Sequence, residues 1–285
     1  MRLEFPGDVI DHFLADRPQQ AHISYRGCHL HNPSMTKIGV PPDRGRPPKE
    51  FHGDGGGSGR NGPWSEAAEG RVVPVRIHIW PSEHWVDDEA WSTIVAVASA
   101  AEEEVRALLP TLERDLYLIV NLSKLVIPET GDGAFTLGPH CIRWDVDPDR
   151  GIAEVARGHL RRTLFHECHH AVRLQRRPEE TEVVDWPTVA VFEGLASVFE
   201  GAAGGERLPY QAYDEQVIAD WCTELFAQPV DDTWPQWKFE HPDGRRNIAY
   251  RVGTWIADRA VDASGRDAAD LVWEAPDDVI AMGGI

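Results

Sequence analysis

One stretch constrains the rest of the chain: Leu164-Phe165-His166-Glu167-Cys168-His169-His170-Ala171. Leu164 and Phe165 precede the polar residues, and Ala171, Val172 and Leu174 follow them. Such apolar flanks suit a buried helix better than a solvated one. Positions i and i+4 share a helix face, so His166 and His170 project side by side. Glu167 sits one step round, within reach of a water held between them. This is how a helix offers two ring nitrogens to a zinc ion (Zn2+) and a carboxylate to the water beside it. His169 and Cys168 are out of register with the pair. Cys168 reads as a small buried residue.

A second signal lies downstream. Val189-Ala190-Val191-Phe192-Glu193-Gly194-Leu195-Ala196 is an apolar run interrupted by one carboxylate. A lone Glu among Val, Phe and Leu is costly to bury unless it is paired or bound to a metal. Catalytic zinc keeps three protein ligands and an open position, and two His plus one Glu is such a set. Glu193 is therefore the candidate third ligand. The competing reading pairs it with a guanidinium, Arg161 or Arg173. Gly194 would let this helix approach a neighbour closely, and Ala196 keeps the same face small.

Composition limits the partners. A net charge of −19 disfavours nucleic acid and anionic membranes, which both need a positive footprint. The lysines are Lys37, Lys49, Lys124 and Lys238. The cysteines, Cys28, Cys141, Cys168 and Cys222, are scattered and form neither a zinc knuckle nor a disulfide framework. The first residues lack an apolar leader, and the longest apolar stretch, 94–101, is too short to span a bilayer. The expectation is a soluble, cytoplasmic protein.

Three segments follow from patterning. Residues 1–37 have no clear structure; His22, Cys28, His29 and His31 lack a suitably spaced further ligand. Residues 38–70 are Pro- and Gly-rich and read as a disordered linker or loop, with Trp64 unexplained. Residues 71–285 form the globular part. Alternation predicts strands over 71–80, 116–120 and 141–146, with a hairpin near Gly131-Asp132-Gly133. Helices are expected over 89–109, 152–174, from Asp185-Trp186-Pro187 to about Gly201, over 210–226 and over 247–261. A short pair fills 267–282. The Trp-rich loop 228–246, with Trp234, Trp237 and His241, is either a cleft wall or packed into the core.

His166-Glu167-Cys168-His169-His170-Ala171-Val172-Arg173 followed by Glu193-Gly194-Leu195-Ala196 resembles the gluzincin group of metallopeptidases. More narrowly, it is similar to a bacterial family of predicted zinc-dependent proteases. That family has a later Tyr-x-x-Gly helix, matched by Tyr250-Arg251-Val252-Gly253. The resemblance covers roughly Arg71 onward. It implies an α+β, zincin-like fold: a small, mostly antiparallel sheet before the active-site helix, then a mainly helical part. It also implies that the strand before that helix, 141–146, lies at the sheet edge and holds extended substrate.

The expected chemistry is peptide hydrolysis. His166, His170 and Glu193 would hold zinc, and Glu167 would act as general base. Tyr250, at the family's Tyr position, is the candidate oxyanion stabiliser, with Arg251 and His241 as rivals and a core tyrosine beside Trp255 as the plain alternative. Glu200 would either support a ligand His or sit solvated at a helix end. The expected partner is a peptide or protein substrate. The alternative function is a zinc-stabilised binding module without turnover, against which the intact Glu167 argues. A third is a metal-free interaction protein whose acidic surface meets basic partners.

Overall fold

The computed structural model describes residues 76–79, 86–112, 116–181, 185–204 and 207–285. The expectations for 1–37 and 38–70, including Trp64 and the His22–His31 group, fall outside them. Every element below lies in the unit Ala67–Ile285.

The chain enters through β1, Arg76–Ile79, and crosses over through the long helix α1, Asp88–Leu108, into β2, Tyr117–Leu122. Asp87 caps α1 by accepting from the Ala90 amide at 2.7 Å, which satisfies one of the helix's free N–H groups. Strands β3, Asp132–Gly138, and β4, Cys141–Val146, form a hairpin. The sheet order is β1-β2-β4-β3, with β1/β2 and β2/β4 parallel and β3/β4 antiparallel.

Three expectations are corrected here. The sheet is not mostly antiparallel, because two of its three pairings are parallel. The helical crossover between β1 and β2 sets one of them, and alternation of side chains carries no information on strand direction. The strand before the metal-motif helix, β4, is interior; the edge is β3. Gly131-Asp132-Gly133 opens β3, and the hairpin turns at Pro139-His140 instead.

After β4, Asp147 accepts from the Asp149 amide and Pro148 opens a 3-10 turn. A continuous rod follows: α2, Ile152–Val155, a π-helical turn over Ala156–Leu160, and α3, Arg161–Leu174. It lies on the sheet. Leu164, Phe165, Cys168, Ala171 and Val172 share one buried cluster with Leu118, Val120, Ile142 and Trp144. The Asp132 carboxylate ties sheet to helix, accepting from the Trp144 indole at 2.9 Å and the Thr163 hydroxyl at 2.8 Å.

The remaining elements are helical: α4, Trp186–Glu200; α5, Ile218–Phe226; α6, Trp234–Lys238; α7, Ile248–Ser264; and α8, Pro276–Met282. Asp185 caps α4 through the Thr188 amide at 2.7 Å. The helix expected over 210–226 starts only at Ile218. Its would-be first turns are drawn into tertiary bonds: Tyr210 and Gln211 reach Glu200, and Tyr213 reaches Asp258. Among the described residues no helix is long and apolar enough to cross a membrane.

Helices α4 and α7 meet backbone to backbone. A Cβ on Gly194 would lie 2.0 Å from the Gly253 carbonyl oxygen, and one on Gly253 would lie 2.0 Å from that of Ala190. Gly194 thus has the role expected of it, and Gly253 is its counterpart. The contact fixes where Glu193 and Tyr250, each close to one of these glycines in sequence, meet the metal-motif helix.

Candidate metal centre

On α3, one helical turn separates His166 and His170, and both are buried. Their rings stand at 86° with centroids 4.7 Å apart, and their Nε2 atoms are 3.1 Å apart. The His170 ring lies flat on Phe192 of α4, centroids 3.8 Å apart. The next residue on α4, Glu193, is buried and places Oε2 3.4 Å from each Nε2. Among the described residues these three are the group whose ligand atoms converge in this way.

The spacing fits a metal. Ligands held tetrahedrally at about 2.0–2.1 Å from zinc stand roughly 3.3 Å apart. The three edges here are 3.1, 3.4 and 3.4 Å. The donor chemistry fits equally: two imidazole nitrogens and a carboxylate oxygen are all lone-pair atoms, and lone pairs facing one another call for a cation between them. Without a metal, a proton takes that place. Burial works against a charge on His166, but its bonds to Glu193 and Glu200 and the field of Glu167 outweigh this and lift its pKa to about 10. Burial drives His170 the other way, to about 4.

Glu200 is buried, not solvated at the helix end. Its Oε2 lies 3.3 Å from His166 Nδ1. Arg162 holds Oε1 at 3.0 Å, and Tyr210 and Gln211 donate to Oε2. A carboxylate in this position could orient the His166 ring from outside the ligand set. His169 points elsewhere and donates through Nε2 to the Ala268 carbonyl at 3.1 Å. Cys168 is buried, as expected, and burial pushes its thiol far above the ordinary range.

Glu167 is buried beside the pair. The Thr136 hydroxyl, from edge strand β3, lies 2.7 Å from Glu167 Oε2 and 2.9 Å from its carbonyl oxygen. Burial raises the Glu167 pKa, against the opposing pull of His166 and Thr136. A carboxylate whose proton affinity is raised is better suited to accept and return a proton.

Neither proposed arginine pairs with Glu193. Arg161 reaches Glu104, and Arg173 is held by Glu180. The partner is Lys238, whose Nζ lies 2.8 Å from Glu193 Oε1. Burial would raise the Glu193 pKa, but the lysine's field and the two imidazoles hold it well below the usual carboxylate range. Lys238 ends α6, inside the Trp-rich loop, between buried Trp237 and exposed Phe239. The loop packs Trp237 into the core, as one of the two expectations had it, and brings Lys238 to Glu193. A lone lysine between aromatic residues was the available signal for Lys238.

Tyr250 is brought to the site. Its ring centroid lies 5.5 Å from Lys238 Nζ, and Tyr210 packs edge-on at 5.5 Å. The rivals are engaged elsewhere: His241 pairs with Asp243 at 2.9 Å, and Arg251 donates to the Pro209 carbonyl at 3.0 Å.

A family model described as a predicted Zn-dependent protease (DUF2268) matches residues 100–280, well over half of the chain. The chain belongs to that family. The match takes in α3, α4 and α7 whole and leaves out β1 and the first part of α1. The buried His166, His170 and Glu193 are the group that would hold the zinc of the family's description. No curated protein and no solved structure gives a match.

Proposed function

We propose that the protein is a zinc metallopeptidase of the gluzincin type, with His166, His170 and Glu193 as metal ligands and Glu167 as general base. The observation that carries this reading is the convergence of three lone-pair atoms at 3.1–3.4 Å with a buried, proton-affine carboxylate one residue from the first ligand. Zinc held there supplies a Lewis acid that polarises a carbonyl and acidifies water.

The chain's own groups do the rest. Glu167 Oε2 takes a proton from the attacking water and passes it to the leaving amine. Thr136 holds that oxygen in place at 2.7 Å. Glu200 fixes the His166 tautomer through Nδ1. Tyr250, beside the Lys238 ammonium, stabilises the oxyanion through its hydroxyl. Burial keeps that phenol protonated far above neutrality, so it acts as a donor. Edge strand β3, whose Thr136 touches the base, takes the role that the resemblance gave to 141–146: its free side pairs with extended substrate. The proposed partner is a peptide or protein.

The test begins with metal content. Wild type is expected to hold one zinc per chain, and His166→Ala and Glu193→Ala to lose it or hold it weakly. Glu167→Gln is expected to keep the metal and lose cleavage of a peptide library. Wild type without stoichiometric metal, even after zinc is supplied, would refute the hydrolase reading.

A further inference from the structure

Lys238 has no place in the chemistry read from the sequence, yet it is the cation nearest the ligand set. Of the two lysines among the described residues, Lys124 is on the surface with its side chain 57% exposed, while Lys238 retains only 17%. The position is built rather than incidental. Trp237 is buried beside it, its ammonium lies 5.5 Å from the Tyr250 ring centroid, and α6 packs against α7, whose close contact with α4 places Glu193.

The two oxygens of Glu193 have separate partners. Oε2 faces both imidazoles at 3.4 Å, and Oε1 is held by Lys238 at 2.8 Å. The ammonium therefore sits on the oxygen that does not face the ligand nitrogens. It does not occupy the place of the metal. A free carboxylate can bind a metal through one oxygen or both. A catalytic site needs a position left open, and a second carboxylate oxygen would fill it.

We propose that Lys238 is a positioning residue for the metal centre: it ties down Glu193 Oε1 so that the carboxylate offers the metal Oε2 alone and a coordination position stays open. This inference rests on the metal reading above. A consequence follows from the chemistry. The clamped carboxylate shares its charge with an ammonium, so it is a weaker donor and leaves the metal more electrophilic. The same ammonium lies 5.5 Å from the Tyr250 ring centroid, so one side chain sits beside both the ligand carboxylate and the proposed oxyanion donor.

The test uses the full-length protein loaded with cobalt(II) in place of zinc, whose visible absorption reports coordination number. Wild type is compared with Lys238→Met, which keeps the length and loses the charge, and with Lys238→Arg, which keeps charge and donors. The expected result for Lys238→Met is weaker d–d absorption, as both Glu193 oxygens bind and coordination number rises. Metal should be retained, and kcat should fall roughly 10- to 100-fold with little change in KM. Lys238→Arg should keep the wild-type spectrum. A folded Lys238→Met whose cobalt spectrum superimposes on wild type overturns the proposal. If Lys238→Met fails to fold, X-ray absorption of zinc-loaded wild type decides: one carboxylate oxygen at the metal supports the clamp, and two overturn it. Wild type that binds neither zinc nor cobalt overturns the metal reading and this inference together, whereas an unchanged spectrum overturns this inference alone.

Discussion

His166 and Arg173 lie two turns apart on α3, and each meets a buried carboxylate, Glu193 in one case and Glu180 in the other. Around Arg173 each guanidinium nitrogen meets an acceptor. Nε and Nη2 grip the two oxygens of Glu180 at 2.5 and 3.0 Å, and Nη1 donates to the Val272 carbonyl at 3.1 Å. Around His166 the inward atoms are all alike: two ring nitrogens and a carboxylate oxygen face one another. The first cluster is closed, with donors matched to acceptors. The second is open, and a cation would complete it. Burial and charge type do not separate the two clusters; what separates them is whether the donors and acceptors already balance.

The comparison breaks most sharply at the closed cluster. Arg173→Met leaves Glu180 buried without its partner and should cost about 3–5 kcal/mol in denaturant unfolding. Replacing both, as Arg173→Met with Glu180→Leu, should recover most of that loss, because an apolar pair of similar volume does not carry the desolvation cost. Neither change should alter zinc stoichiometry. A loss of zinc with Arg173→Met would show that the two clusters are coupled along α3.

Gly194→Ala attacks the frame of the open cluster. The added methyl cannot fit at 2.0 Å from the Gly253 carbonyl, so α4 and α7 must part. The expected cost is about 3 kcal/mol, with weakened zinc binding because Glu193 moves with α4. Zinc affinity and unfolding should therefore change together, in contrast to Arg173→Met. Retained affinity in a destabilised Gly194→Ala protein would separate helix contact from ligand placement.

Saturating the open cluster is the next effect in size. Free zinc at 100 times its dissociation constant should stabilise the fold by about 2.7 kcal/mol. The gain should vanish with chelator and in His166→Ala. A melting temperature indifferent to zinc would mean that the cluster is already balanced, as the Arg173 cluster is.

How much of this is legible in the sequence follows from range. His166, Glu167 and His170 are readable because a helix fixes their relation locally, whatever surrounds them. Glu193 is readable as a charge with no local excuse in an apolar run. The helix start at Asp185 and the close approach at Gly194 need only neighbouring residues. Strand direction is not readable, since a strand alternates in the same way beside a parallel or an antiparallel partner. The 210–217 segment keeps a helical spacing but is spent on bonds to Glu200 and Asp258. The partners of the site arrive from distant segments: Lys238 from a loop dominated by Trp residues, and Thr136 from a strand 31 residues before Glu167. Both were hidden because their significance depends on the fold.

Thr136 supplies the smallest and most specific test. Valine has nearly its shape, so Thr136→Val removes the hydroxyl and little else. The bond it deletes goes to a carboxylate, and its loss should be worth about 1–2 kcal/mol. If that bond orients the proposed base, the cost should appear as a roughly tenfold fall in kcat, with zinc content and KM near wild type. The closed cluster offers no parallel, because nothing there must stay poised for a proton. A Thr136→Val protein with undiminished kcat but a lower melting temperature would make Thr136 a tie between β3 and α3, on the same footing as Thr163 and Asp132. Undiminished kcat with unchanged stability would mean that Glu167 is held by its burial alone.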